Sequence, residues 1–155
     1  MPSPPVTTAC RCGRARTVRV APTVEMEVDA ATLRLDGVAV ASCEAGHVEL
    51  VDDSVADRAL AAIDDGLLVA NRPRLRRGDR CGDCGATLTL PGRRSDTPVP
   101  FASPFGVVTP TVIATMVRCP ECGREQLAPD ARDALPTLVA SCVAEALRLA
   151  GQRSG

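Results

Sequence analysis

The most regular hydrophobic pattern in the chain runs from Asp130 to Ala150. Apolar residues recur there at steps of three and four, which is the spacing of one face of an amphipathic helix. Pro136 predicts a bend or a restart of this helix, with Thr137 as the cap of the part that follows. A shorter helical pattern runs from Asp53 to Ile63. The apolar face of the longer helix is formed by Leu135, Leu138, Val139, Cys142, Val143, Ala146, Leu147 and Ala150.

Alternation and turn residues predict the β-strands. The segment ATLRLDGVAVAS, residues 31–42, places Asp36-Gly37 between two β-prone runs and so predicts a hairpin. Further strands are expected at Ala86 to Leu90 and at Thr111 to Val117. The segment at 92–110 carries four prolines, so we expect a loop there.

One plan occurs twice along the chain. Each half has a cysteine-glycine turn, strand-like segments, a second turn and then a helical pattern. The turns are CRCG and SCEAGH in the first half, and CGDCG and CPECGRE in the second. We therefore predict an α+β protein of two small modules, at 6–70 and 81–150, joined by an Arg-rich linker at 71–80. Each module would be an antiparallel β hairpin or sheet followed by a helix.

Composition limits how much order packing alone can supply. Hydrophobic residues make up 45% of the 155 residues, but Phe101 and Phe105 are the only large rings. A half-chain of roughly 70 residues built this way usually needs a metal or disulfides. The chain has neither a signal-peptide pattern nor an uninterrupted apolar stretch of about 18 residues. We expect a cytoplasmic protein, in which closely spaced cysteines are metal ligands more often than disulfides.

Two C-x-x-C turns in the second half predict a zinc site. Structural zinc takes four soft or borderline ligands at tetrahedral corners, which these turns can supply. The glycine after each turn can adopt the positive φ that wraps the backbone around an ion. The alternatives are two redox-active dithiols or four unrelated core cysteines. The predicted ligands are Cys81, Cys84, Cys119 and Cys122.

The first half offers an imperfect version of the same site. Its first two cysteines are one residue closer than in a C-x-x-C turn, and Gly46 stands where a fourth cysteine would be. The only histidine follows immediately, and imidazole is a good zinc ligand. The predicted ligands are Cys10, Cys12, Cys43 and His47, which gives two zinc ions per chain. The alternatives are a histidine with no special role and a replacement ligand from Cys142, which is otherwise expected to be a buried, inert thiol.

The turns CxxCG and CPxCG resemble those of the zinc-ribbon superfamily, over most of each half. The resemblance implies two tandem zinc-ribbon-like modules. The segment LRLDGVAVASCEAGH before an acidic helix start is similar to the YgiT-type zinc-finger module of MqsA-like antitoxins. Such modules bind structural zinc and mediate dimer or protein contacts, while a separate helix-turn-helix binds DNA, and no helix-turn-helix pattern occurs in this sequence. CPECG also resembles rubredoxin, whose redox-active iron is wrapped in aromatic side chains that are missing here.

The resemblance and the ligand sets favour a structural zinc-binding protein that acts as a protein-interaction adaptor or accessory subunit. We expect a protein partner or a homodimer, with the final helix as a docking face. A site with four thiolates leaves no position for water, so we do not expect an enzyme. The alternative of a zinc-thiolate or redox enzyme component would use the imperfect first site, because the acidic pairs Asp52-Asp53 and Asp64-Asp65 suit helix ends and turns.

The remaining alternative is a nucleic-acid-binding or transcription-related zinc-ribbon regulator. Arginine side chains contact phosphates, and a local patch can act despite the formal net charge of −1. No aromatic residues are interleaved with the arginines to stack on bases. The candidate arginines are Arg72, Arg74, Arg76, Arg77 and Arg80, together with Arg93 and Arg94.

Overall fold

Two antiparallel sheets and two helices form the fold, which confirms the predicted α+β class. The computed structural model describes residues 9–75 and 78–152. In chain order the elements are β1 (Arg16–Val20), β2 (Val24–Val28), β3 (Ala31–Asp36), β4 (Ala39–Cys43), β5 (Val48–Leu50), α1 (Val55–Gly66), β6 (Arg93–Pro98), β7 (Phe101–Ser103), β8 (Gly106–Arg118), β9 (Glu125–Leu127) and α2 (Pro129–Gln152).

The larger sheet takes strands from both halves of the chain. The three-stranded sheet has the order β1-β4-β5, all from the first half. The six-stranded sheet has the order β2-β3-β8-β6, with β7 and β9 also paired to β8. β3 pairs with β8 from Ala31 opposite Ala114 to Asp36 opposite Thr109. The predicted boundaries at 6–70, 71–80 and 81–150 therefore describe the repeat in the sequence. The six-stranded sheet contains strands from both sides of the linker at 71–80.

The predicted hairpin at Asp36-Gly37 is wrong. β3 and β4 follow one another in sequence but lie in different sheets, so they are not paired. Gly37 lies where the chain crosses between the sheets, and a Cβ there would collide with the backbone carbonyl of Val107. The long ladder between β3 and β8 determines the partner of β3, and that ladder involves residues far apart in sequence.

The predicted loop at 92–110 is also wrong, because this segment forms β6, β7 and the start of β8. Pro110 lies within β8, where its carbonyl accepts a hydrogen bond from the N–H of Val99 at 2.8 Å. The predicted strand at Thr111 to Val117 is confirmed as part of β8. The segment Ala86 to Leu90 contributes only an isolated bridge, between Thr87 and Arg80.

The apolar stripe of α2 is core rather than surface. The helix contacts β2, β3, β4, β5 and α1, which all come from the first half of the chain. It runs without a break, so the predicted restart at Thr137 is wrong; Pro136 is exposed while Leu135 and Leu138 are buried on the sheet side. By length and composition alone α2 could cross a membrane. Its buried residues are Ala131, Leu135, Leu138, Val139, Cys142, Val143, Ala146 and Ala150.

Candidate metal centres

Four cysteines from the second half of the chain converge at one point. The sulfur atoms of Cys81, Cys84, Cys119 and Cys122 all lie within 4.8 Å of one another. The Sγ atoms of Cys81 and Cys122 are 3.7 Å apart, and those of Cys84 and Cys119 are 3.6 Å apart. Zinc–sulfur bonds of about 2.3 Å at tetrahedral angles give an S···S separation of about 3.8 Å. The four free thiols therefore match the corners of a tetrahedral ion site.

Two matched turns supply these cysteines. The N–H of Gly85 donates to the carbonyl of Cys81 at 3.1 Å, and the N–H of Gly123 donates to the carbonyl of Cys119 at 3.0 Å. The two glycines have φ values of 76° and 75°, which confirms the backbone conformation expected from the sequence. One turn lies between α1 and β6, and the other joins β8 to β9.

Gln126 on β9 ties the first of these turns to the strand that follows the second. This side chain is fully buried. Its Nε2 donates to the Sγ of Cys81 at 3.0 Å, and its Oε1 accepts the N–H of Gly82 at 2.8 Å. The N–H groups of Asp83 and Cys84 also point at the Sγ of Cys81, at 3.4 and 3.5 Å. Sequence reasoning missed Gln126, and a polar residue in a strand directly after CPECG was the only signal for it.

These donors favour the thiolate form of Cys81. The Gln126 amide makes the largest contribution and, with the N–H groups of Cys84 and Asp83, lowers the pKa of Cys81 from 9.0 to about 6. Thiolate rather than thiol is the form that binds a metal ion. The second cluster therefore has a buried ligand that is ready for metal at neutral pH.

The three cysteines and the histidine of the first half also converge. Their ligand atoms all lie within 4.8 Å of one another. The Nδ1 of His47 is 3.4 Å from the Sγ of Cys10 and 3.4 Å from the Sγ of Cys43. The Sγ atoms of Cys12 and Cys43 are 3.7 Å apart. With zinc–sulfur bonds of about 2.3 Å, zinc–nitrogen bonds of about 2.0 Å give a tetrahedral S···N separation of about 3.5 Å, so the cluster fits an ion bound through Nδ1.

The three-stranded sheet brings this first cluster together. β1 and β4 pair with Arg16 opposite Cys43, so the turn before β1 lies beside the end of β4. His47 directly precedes β5, which pairs with the other edge of β4. In both clusters the first cysteine of each turn is buried and the other ligand of the pair is exposed. The two sites therefore share one plan of burial.

Hydrogen bonds within the first cluster also shift its ionisation. The N–H of Cys12 contributes most to lowering the pKa of Cys10 to about 6. The thiols of Cys10 and Cys43 raise the pKa of His47 above its ordinary value, because they stabilise the imidazolium form. In the absence of metal, a proton therefore competes for the Nδ1 position more strongly than it would for an isolated histidine.

Cys142 takes part in neither cluster. It is buried on α2, and its Sγ donates to the carbonyl of Leu33 at 3.6 Å. Burial raises the pKa of Cys142 to about 11, so this thiol stays protonated at neutral pH.

One member of each acidic pair, Asp52 or Asp64, is engaged in local contacts. Asp52 accepts hydrogen bonds from the N–H of Ser54 at 3.0 Å and from the guanidinium of Arg58 at 2.8 Å. Asp64 receives two hydrogen bonds from Arg132, at 2.6 and 2.8 Å. These carboxylates fix α1 at its N-terminus and to α2, and they do not reach either cluster.

Among the linker arginines, Arg72 is paired with acidic side chains. Its guanidinium contacts Asp79 at 3.1 Å and Asp130 at 2.5 Å, so its charge is balanced by two carboxylates. Arg76 and Arg77 lie outside the described residues. Of the other candidate arginines, Arg80 is half-buried, whereas Arg74, Arg93 and Arg94 are exposed.

All eight residues predicted as ligands come together in two clusters, each of which can hold one metal ion. Each cluster lies on β-rich segments and offers four donor atoms at tetrahedral spacing, as zinc-binding modules do. No protein-family model, curated protein sequence or solved structure matches this chain. The two four-ligand clusters are therefore the features that indicate a function.

Proposed function

We propose that the chain is a structural zinc-binding protein with two ions, which acts as an adaptor or accessory subunit by binding another protein. The observation that carries the proposal is that each cluster has four protein donors at tetrahedral spacing. With every corner filled by the protein, neither ion keeps a position for a catalytic water. The two tandem sites then correspond to the zinc-ribbon-like modules that the sequence resembles.

The ligand sets support zinc over iron. One set has four cysteines and the other has three cysteines and a histidine, and both are structural zinc sets. Rubredoxin surrounds its redox-active iron with aromatic side chains, whereas this sequence has only two aromatic residues, Phe101 and Phe105. Asp52 and Asp64, the acidic residues considered for acid–base chemistry, are instead paired with Arg58 and Arg132.

The surface beside the first cluster supports a protein partner. Val18 and Val20 lie on the same face of β1 and are 38% and 58% exposed. On this face they lie opposite Ala41, which is buried, and Ala39, which is half-buried, so the two valines themselves form the exposed apolar surface. Exposed apolar residues that adjoin one another often mark an interaction surface. The balanced charge of Arg72 gives less support to a nucleic-acid partner.

The experiment compares a double variant, Val18→Asp with Val20→Asp, with the control Val107→Asp. Val107 is 60% exposed but lies on β8, a strand of the six-stranded sheet. Proteins that copurify with the zinc-loaded chain would be identified, purified and mixed with each variant. We expect the double variant to lose partner binding, or homodimer formation by sedimentation, while zinc content stays at two. Equal binding by all three proteins would contradict this surface, and purification as a monomer without any partner would contradict the adaptor function.

A further inference from the structure

The two turns of the first cluster are built alike. In the first, the N–H of Cys10 donates to the carbonyl of Arg14 at 2.8 Å, and the N–H of Gly13 donates back to the carbonyl of Cys10 at 2.8 Å. The second turn has the same two hydrogen bonds. The N–H of Cys43 donates to the carbonyl of His47 at 3.1 Å, and the N–H of Gly46 donates to the carbonyl of Cys43 at 3.0 Å.

The two turns are alike in two further respects. Gly13 and Gly46 have nearly equal φ values, 85° and 88°. The N–H two residues after each leading cysteine, that of Cys12 or of Ala45, hydrogen-bonds the sulfur of that cysteine. Ala45 therefore occupies in the second turn the place that Cys12, a ligand, occupies in the first. The fourth corner of the site is left without a donor from the turn itself.

His47, the residue after Gly46, fills that corner instead. Its side chain is exposed, and only its Nδ1 faces the cluster. A metal-binding histidine normally donates its other ring N–H to a partner that fixes the ring. Among residues 9–75 and 78–152, the Nε2 of His47 has no hydrogen-bond partner. A shallow groove beside the ring is lined by Cys10, Arg11, His47, Val48 and Glu49.

We propose that the first cluster is an exchangeable zinc site, whose His47 corner opens to an external donor while the second cluster retains its ion. The inference rests on the proposed function, because it requires both clusters to hold zinc. In the second cluster, both donors of each pair belong to a C-x-x-C turn, and buried Gln126 holds Cys81. Nothing comparable holds the imidazole of His47 within the described residues.

The chemistry of the external donor follows from the corner that opens. Three thiolates remain on the ion, so the incoming group must be a small neutral or anionic donor, such as an imidazole or a chelating nitrogen ligand. The bond from a bound ion to Nδ1 would break as a bond to the incoming lone pair formed, so the number of ligands would stay at four. The oxidation state of the ion would not change. A bidentate chelator that enters this way can then remove the ion.

The test measures zinc release to an excess of the chelator 4-(2-pyridylazo)resorcinol from the full-length, zinc-loaded chain. We expect two ions per chain that leave in two phases, with rates that differ by about tenfold or more, since an outer-shell partner is worth at least that much in metal affinity. The variant Ala45→Cys with His47→Ala should supply the missing corner from within the turn and slow the fast phase. His47→Ala alone should accelerate it, and added imidazole should slow it again.

The outcomes separate this inference from the proposed function. Two ions that leave the wild-type chain at one common rate would overturn the inference and leave the two-site function standing. A wild-type chain that binds one ion would overturn both. If the double variant does not fold, rescue of His47→Ala by imidazole still decides: a fast phase that imidazole leaves unchanged means that the corner does not accept an external donor, which contradicts the proposal.

Discussion

The two metal clusters have the same number of ligands but differ in what holds those ligands in place. In the second cluster every ligand belongs to a C-x-x-C turn, and the buried amide of Gln126 fixes the Sγ of Cys81 at 3.0 Å. In the first cluster His47 is exposed, and it reaches the site from the residue after Gly46. Two sites with the same number of ligands can therefore differ in how firmly they hold an ion, because hydrogen bonds from residues outside the ligand set orient the donors.

The clusters also differ in how they are joined to the core. The second lies at one end of β8, the strand that pairs with β3, β6, β7 and β9. The first lies at the end of the three-stranded sheet, where Cys43 pairs with Arg16 of an edge strand. Loss of the second ion should therefore disturb the six-stranded sheet, while the effect of losing the first ion should be confined to the three-stranded sheet. The following predictions test this contrast.

Removal of a ligand from the second cluster should have the largest effect. Structural zinc contributes folding free energy on the order of 10 kcal/mol in small modules. We expect Cys119→Ser to lose one ion and to lower the melting temperature by roughly 10 °C or more. Calorimetry with metal analysis measures both quantities.

The matched control is Cys142→Ala, which removes the one cysteine outside the clusters. Because Cys142 is buried in the core, its truncation should cost about 1 kcal/mol and leave both ions bound. A Cys119→Ser protein with an unchanged zinc content would show that this cluster is not a metal site.

Acid should empty the clusters in order. The pKa values of Cys10 and Cys81 lie at about 6 in the folded chain, below the ordinary 9.0. Their thiolates therefore stabilise the folded state fully above pH 9.0, and this contribution is lost as the pH falls from 9.0 to about 6. The pKa of His47 is raised instead. Protonation of His47 therefore stabilises the metal-free folded state at low pH, and this stabilisation is lost as the pH rises through the raised pKa. As the pH falls, we expect the first cluster to lose its ion at a higher pH than the second. The absorption of the cobalt-substituted protein would measure this loss, and the reverse order would contradict the comparison between the clusters.

Gln126→Leu should weaken the second cluster without removing a ligand. The variant leaves the N–H of Gly82 unpaired and takes a donor from the sulfur of Cys81. Loss of an outer-shell partner costs about 10- to 100-fold in metal affinity. Competition with a chelator would measure the affinity, and the thiolate-to-cobalt absorption band should shift.

Gln126→Glu sharpens this prediction. A carboxylate can still accept from Gly82 but brings a negative charge to the thiolate, so its zinc affinity should fall further than that of Gln126→Leu. If both variants bind zinc as tightly as the unmodified chain, Gln126 has no part in orienting Cys81.

His47→Ala should have the smallest effect on stability. It removes an exposed ligand at the end of the smaller sheet, so we expect weaker binding at the first cluster and a change of about 1 kcal/mol in the free energy of unfolding. The second ion should remain. Cooperative loss of both ions would show that the two clusters are more strongly coupled than their separate sheets suggest.

Local patterns in the sequence predicted the parts of the molecule that depend on local spacing. The eight cluster residues follow from cysteine spacing and one adjacent histidine, and the buried face of α2 follows from its three- and four-residue steps. The pairing of β3 with β8 depends on residues about 75 positions apart, where no turn signal can act. The four prolines at 92–110 concealed strands, and Gln126 carries no motif that marks a side chain aimed at a sulfur.

The most direct test of the central claim is the mass of the intact protein under native conditions, together with zinc analysis of the same sample. Purified with its thiols reduced, the chain should carry two zinc ions, one on Cys81, Cys84, Cys119 and Cys122 and the other on Cys10, Cys12, Cys43 and His47. An alkylating reagent should then modify the cluster cysteines only after the ions are removed. A metal-free protein that keeps the same fold and melting temperature with all cysteines reduced would contradict the account.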